Sequence, residues 1–249
     1  KTVSTPAGQG HGTVAAQVVA DVLGLHPNDV DVVTEVDTVT SAWSLASGNY
    51  ANRFSSVVVG AIAEAAERVA SKIKLLAADT LEIAPEDVEL VGGNARLVGV
   101  PEKSVPIRRL AQRTHWHPAG LPEDMAPGLF ETSIISPRLL DSPDEQDRVA
   151  SAVTFGYVCD LVAVEVERAT GRVHVKKYVS VHDVGTILNQ LVVDGQIHGG
   201  FAHGMGGAFL EEFVYDNDGN PLSGTFADYL CITAPEMPSS RSSSSTGFP

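Results

Sequence analysis

The chain has 249 residues, room for one large domain or two small ones, and a charged fraction of 19%, ordinary for a folded protein. Seventeen basic residues against 31 acidic ones give a net charge of −14, which argues against nucleic acid or an anionic membrane as a partner. No apolar run approaches the roughly 20 residues of a membrane span, and no basic-then-apolar leader opens the chain.

Taken in order, Thr2–Thr5 reads as a short strand that runs into Gly8-Gln9-Gly10-His11-Gly12. Val14, Gln17, Val18, Asp21 and Val22 then predict a helix that stops at Gly24. Val30–Val36 alternates as a half-buried strand, and a Ser-, Gly- and Asn-rich loop spans Ser41–Asn52. The strongest helix is roughly Ser55–Leu81, with Val58, Ile62, Ala65, Val69, Ile73 and Leu76 on one face and Glu64, Glu67, Arg68 and Lys72 largely off it. Val88–Val91 and Arg96–Val100 predict a hairpin across Gly92-Gly93-Asn94.

The proline-rich stretch after Pro101 reads as a connecting arm with one short helix near Ile107–Gln112. Val158–Glu167 and Arg172–Val181 are two strands about the turn 168–171, followed by a Gly-rich helix at Leu191–Phe209 and a strand at Leu210–Tyr215. Residues 216–220 form a turn by composition, and the serine-rich tail is low-complexity and expected to be disordered. The resulting class is mixed α/β (α+β) in two lobes, residues 1–100 and 153–238, joined by an arm over 101–152 and ending in a tail over 239–249.

Two cysteines 72 positions apart, Cys159 and Cys231, form no disulfide framework, iron–sulfur set or zinc motif, and read as buried thiols in a reducing cytoplasm. His115 and His117, or His198 and His203, lack the carboxylate or cysteine that would complete a metal site. A serine-hydrolase elbow is missing too.

Three segments carry candidate chemistry. Gly8–Thr13 puts glycines and backbone amides at a helix start, where an anion or amide could bind, although a tight turn explains the same residues. It lacks the Walker lysine and the dinucleotide fingerprint. Arg53-Phe54-Ser55-Ser56 opens the long helix, and either serine could be a simple N-cap or a phosphate ligand alongside Arg53. Asp183-Val184-Gly185 through Asn189 leads into a helix in which residues 185–207 include seven glycines. Each helical glycine costs about 1 kcal/mol relative to alanine, so close approach of a backbone or cofactor is the expected compensation.

Together with Gly195-Gln196-Ile197-His198-Gly199-Gly200 and Phe226-Ala227-Asp228-Tyr229, these segments resemble, in order, the molybdopterin-binding part of the large subunit of molybdenum hydroxylases. That family includes xanthine dehydrogenase, aldehyde oxidase and carbon monoxide dehydrogenase. The resemblance implies molybdenum held by a pterin dithiolene, in the molybdopterin cytosine dinucleotide form. It assigns Gln9 to the pterin near its metal end, counts Gly10 and His11 among the cofactor-binding residues, and gives Ser55 and Ser56, with Arg53 a weaker candidate, to the pyrophosphate or nucleotide. Gln196 would hydrogen-bond the pterin, while Asp183, Gly185 and Asn189 would touch the cofactor or brace its loop.

The implied reaction is hydroxylation of an electron-poor carbon with water as oxygen source, the substrate being an N-heteroaromatic, purine or aldehyde. Iron–sulfur and FAD centres would lie on partner subunits of a cytoplasmic complex. The family's glutamate base, in a Gly-x-Gly-Glu-like segment beyond the Asp-Tyr motif, has no counterpart before family-like sequence stops near Pro238, so no catalytic residue is assigned and the chain alone is expected to be inactive. A truncated or frame-disrupted large subunit, or one piece of a split one, fits these features. The alternatives are a carbon monoxide dehydrogenase large-chain fragment and a non-catalytic remnant without molybdenum.

Overall fold

Periodicity settles the helices. The computed structural model describes residues 1–2, 4–35, 39, 53–123, 125–136, 142–149, 152–238 and 240–245, and divides the chain into two units, Lys1–Thr154 and Phe155–Pro249. The loop expected over Ser41–Asn52, parts of the two first strands (Val3, Val36) and the last four tail residues lie outside the described residues.

In the first unit, α1 (His11–Leu23) ends at Gly24, whose φ of 62° is the left-handed closure expected of a glycine there. A π-helical turn, Phe54–Val58, runs into α2 (Val59–Leu81). Strands β1 (Val88–Val91), β2 (Asn94–Leu97) and β3 (Val100–Pro106) form an antiparallel sheet in that order, and α3 (Ile107–Trp116) follows at once.

The apolar stripe of α2 explains the packing. Ile73, Leu76, Ala77 and Ala78 meet Val88, Ala95 and Val105 of the sheet and Leu110 of α3 in one buried cluster. Burying each of the large side chains contributes about 1.5–3 kcal/mol. A second cluster joins Val14 and Ala15 of α1 to Phe54 and Val59.

The stretch expected to be a connecting arm therefore contributes β3 and α3 to this core. Val105 and Leu110 are its buried apolar members, and Pro101 stands near a strand start and Pro106 just ahead of a helix, where neither does harm. Residues 30–35 carry no ladder, although Thr2 N donates to Val33 O at 2.9 Å.

In the second unit, β4 (Tyr157–Val166) and β5 (Val173–Asp183) form the long hairpin expected, with a register irregularity at Ala163/Val164. The helix α4 (Gln190–Phe209) follows. Leu210–Tyr215 forms no strand; Tyr215 makes one isolated bridge to Pro221 beside the turn at Asp216–Asn220. The serine-rich tail, expected to be disordered, instead supplies β6 (Ser240–Ser245), parallel to β5. An open β5 edge offers unpaired amides and carbonyls that an extended backbone of any composition can satisfy.

Both thiols correct the expectation of burial, because Cys159 and Cys231 are exposed. The strand β4 explains the first, since every residue along it is exposed, apolar ones such as Leu161 and Val162 included. No described helix is long and apolar enough to cross a membrane.

Candidate functional site

The first two of the three candidate segments meet in the Lys1–Thr154 unit. Gly10 is the N-cap residue of α1 with φ 72°, and no side chain caps that end. The first-turn amides, which have no partner within the helix, lie at the positive end of its dipole. A Cβ built on Gly8 or Gly12 would meet no atom within 4 Å, so the loop borders open space. The Gln9 side chain folds back, its Oε1 accepting from Ala7 N at 2.6 Å, and shapes the loop.

His11 is buried, and its ring lies on that of Phe54 with centroids 3.9 Å apart and planes 7° from parallel. Ser4 Oγ stands 3.1 Å from its Nδ1. Burial pushes the His11 pKa below the ordinary 6.5, which favours the neutral imidazole. With Nδ1 beside Ser4 and its ring on Phe54, His11 braces the loop against the start of α2.

Phe54 opens the π turn that also carries Ser55 and Ser56, with Arg53 immediately before it. Both serines stand inside this turn and neither occupies an N-cap position, so helix capping does not explain them. A π turn is a local widening often found at functional sites. Ser55 is exposed, and Arg53 and Ser56 are half-buried. The His11–Phe54 stack therefore sets the glycine loop beside the turn that carries Ser55 and Ser56.

The third segment belongs to the second unit. Asp183 Oδ1 accepts from Gly185 N at 3.1 Å, and Gly185 has φ 62°. Asn189 caps α4, its Oδ1 accepting from Val192 N at 2.9 Å. Gln196 is exposed and lines a cavity of about 490 Å³ between α4 and the β4–β5 sheet, together with Asp160, Tyr178, His182, Gly200 and Phe201. Phe201 stacks on Tyr178 at 4.0 Å between centroids. Cβ atoms built on Gly195, Gly199, Gly200, Gly204 and Gly207 would meet nothing within 4 Å, so these glycines border open space, while Gly206 lies against the Glu211 carboxylate.

Two features escaped the sequence reading. Ser180, fully buried, joins Asp160 to His182 on the sheet face that lines this cavity. In the first unit, Gly60, Glu64, Arg68 and Lys72, each four residues from the next, make a row along α2 that holds the segment 130–135. The four-residue spacing was visible, but its partner was not.

A family model described as "Molybdopterin cofactor-binding domain" matches residues 1–238. The carbon monoxide dehydrogenase large chain of Hydrogenophaga pseudoflava is 34% identical over 93% of this chain. The nicotine 6-hydroxylase large subunit of Paenarthrobacter nicotinovorans is 33% identical over 93%. In each case the match spans only 26% of the relative's length. Among solved structures, quinoline 2-oxidoreductase from Pseudomonas putida 86 superposes with a TM-score of 0.74 at 30% identity, covering 98% of this chain and 29% of that one.

Proposed function

Because the chain belongs to the molybdopterin cofactor-binding domain family, we propose that it cradles the molybdenum cofactor of an oxidoreductase that hydroxylates a carbon centre with water. The observation that carries this reading is the His11–Phe54 stack, which sets the Gly8–Gly12 loop beside the Ser55–Ser56 turn. These residues fit the group. The amides that open α1, two hydroxyls and a guanidinium suit phosphate oxygens, and Gln9, whose Oε1 accepts from Ala7 N, shapes the loop that would meet the pterin. When bound, the cofactor supplies the redox centre and, through it, activated oxygen from water.

The residues of this chain bind and orient. Ser55, Ser56 and the amides of the π turn hold the pyrophosphate, with Arg53 adding charge. Gln9 and the Gly10 backbone meet the pterin end, and His11 acts behind them as a brace rather than as a ligand. Gln196 hydrogen-bonds the pterin, and Asp183, Gly185 and Asn189 shape the turn that leads to its helix. The cytosine dinucleotide form of the cofactor is the one we favour.

The substrate is best read as an N-heteroaromatic, purine or aldehyde, supported by the likeness to nicotine and quinoline enzymes. The second reading, a part of a carbon monoxide dehydrogenase large chain, is favoured by the likeness to that chain. In either case the work is shared with iron–sulfur and FAD subunits in the cytoplasm.

The test is purification from a molybdenum-replete host, with molybdenum measured by mass spectrometry and nucleotide released by acid hydrolysis. Near-stoichiometric molybdenum with CMP, both lost in Gln196→Ala, is expected. Well-folded protein that carries neither, even when co-expressed with the companion subunits, overturns the reading in favour of a remnant.

A further inference from the structure

The four-residue row on α2 has a partner that matches it step for step. Lys72 Nζ donates to Phe130 O at 3.4 Å and pairs with the Glu131 carboxylate. One turn nearer the N-terminus, Arg68 Nη1 donates to Thr132 O at 2.9 Å, and Arg68 also pairs with Glu64. The next turn brings Ser133 Oγ, which donates to Glu64 Oε2 at 2.5 Å. Finally Ile135 Cδ1 lies 3.1 Å from where a Cβ on Gly60 would stand.

The segment therefore runs antiparallel to α2, about two residues per helical turn, because two extended residues rise about 6.6 Å and four helical ones about 6 Å. Glu131, Ser133 and Ile135 face the helix, while Phe130 and Ile134 point outward, 80% and 89% exposed. Its lower end is pinned, since Leu129 packs against the main core. Its upper end reaches Gly60, two residues beyond the π turn.

We propose that residues 129–135 are a positioning strap whose contacts, Glu131 with Lys72 and Ser133 with Glu64, hold α2 from its middle up to Gly60, and so keep the Ser55–Ser56 turn in register for the cofactor's phosphates. The π turn runs straight into α2, so the position of its serines follows that of the helix behind it. Phe54 anchors one side of it through His11, and the strap fixes the helix directly behind it. Glu131 and Ser133 are positioning residues that never touch the cofactor. The phosphate part of this inference rests on the cradle reading, whereas the mechanical part does not.

The experiment compares the full chain with the double variant Glu131→Gln/Ser133→Ala. Amide hydrogen exchange over residues 54–62 should accelerate about tenfold, the scale expected when several half-exposed ion pairs and hydrogen bonds release a local unit. Exchange in α1 and β1–β3 should stay unchanged. In protein loaded with molybdenum and CMP, the double variant should release CMP several times faster on gel filtration. If the double variant unfolds, Ser133→Ala, which removes one hydrogen bond, gives the same comparison in a smaller degree. Unchanged exchange at 54–62 overturns the strap. Faster exchange with unchanged CMP release overturns its link to the cofactor. Wild-type protein that binds neither molybdenum nor CMP overturns the cradle, and exchange still decides the strap.

Discussion

The rings of His11 and Phe54, 43 positions apart, lie face to face with 3.9 Å between centroids, and each belongs to a different candidate segment. Stacked aromatic pairs add about 0.5–1.5 kcal/mol beyond their buried area. Phe54 also packs with Val14, Ala15 and Val59. Phe54→Ala should therefore lower stability by about 3 kcal/mol or more, the usual loss for a buried aromatic. Urea denaturation measures this, and a midpoint within error of wild type would show that the stack does not hold the two segments together.

The same pair predicts a pH dependence. Burial lowers the folded-state pKa of His11 below 6.5, so the unfolded chain binds the proton more readily. Its contribution to stability is complete above pH 6.5 and is lost as pH falls from there toward the folded value. His11→Phe cannot titrate. Its melting temperature should change less than that of wild type between pH 7.5 and 5.5. Equal slopes in the two proteins would remove His11 from the account.

Much of this was legible in the sequence because the signal was local. The helices α1 and α2 and the β4–β5 hairpin follow from spacing and from Gly24. The strand expected at Leu210–Tyr215 fails because no ladder forms beside it; Val214 N instead donates to Ser223 Oγ and Leu222 N to Val214 O. The segment 130–135 has no periodicity of its own. Its order comes from α2 residues 58 to 69 positions earlier, a pairing no local pattern encodes. Likewise nothing in Gly8–Gly12 announces that the His11 ring will stack on Phe54.

Glu82 closes α2 with φ 54°, a left-handed conformation in which a side chain is strained. Gly24 does the same work for α1 without that strain. Glu82→Gly should raise stability by about 0.5–1 kcal/mol, the αL relief less the added freedom of the unfolded chain. Thermal melting checks this, and a fall in melting temperature would mean the Glu82 side chain contributes more than its backbone strain costs.

The strap carries its own acid limit. The Glu64 carboxyl is held below the ordinary value of 4.5, first by the Ser133 hydroxyl and then by Arg68. A depressed carboxyl stabilises the folded form above its unfolded value and loses that contribution as pH falls through the folded one. Exchange at residues 54–62, corrected for the intrinsic pH effect, should therefore rise below about pH 4.5. Glu64→Gln should show that looseness already at neutral pH.

Ser180 has one hydroxyl proton, and its neighbours include Asp160 and His182. It donates to Asp160, so the 2.6 Å contact with His182 requires Nε2 of the imidazole to be the donor. The network fixes the tautomer of His182, the residue before the Asp183–Gly185 turn. Since Ser180 is fully buried, its hydroxyl cannot find water instead. Ser180→Ala should cost about 1–3 kcal/mol, the penalty for unmaking buried hydrogen bonds, and Ser180→Thr should recover part of it. Nitrogen-15 NMR of histidine-labelled protein reads the tautomer directly. A neutral His182 protonated on Nδ1 would reverse the donor assignment, and an Ala variant as stable as wild type would mean that the network leaves the end of β5 unaffected.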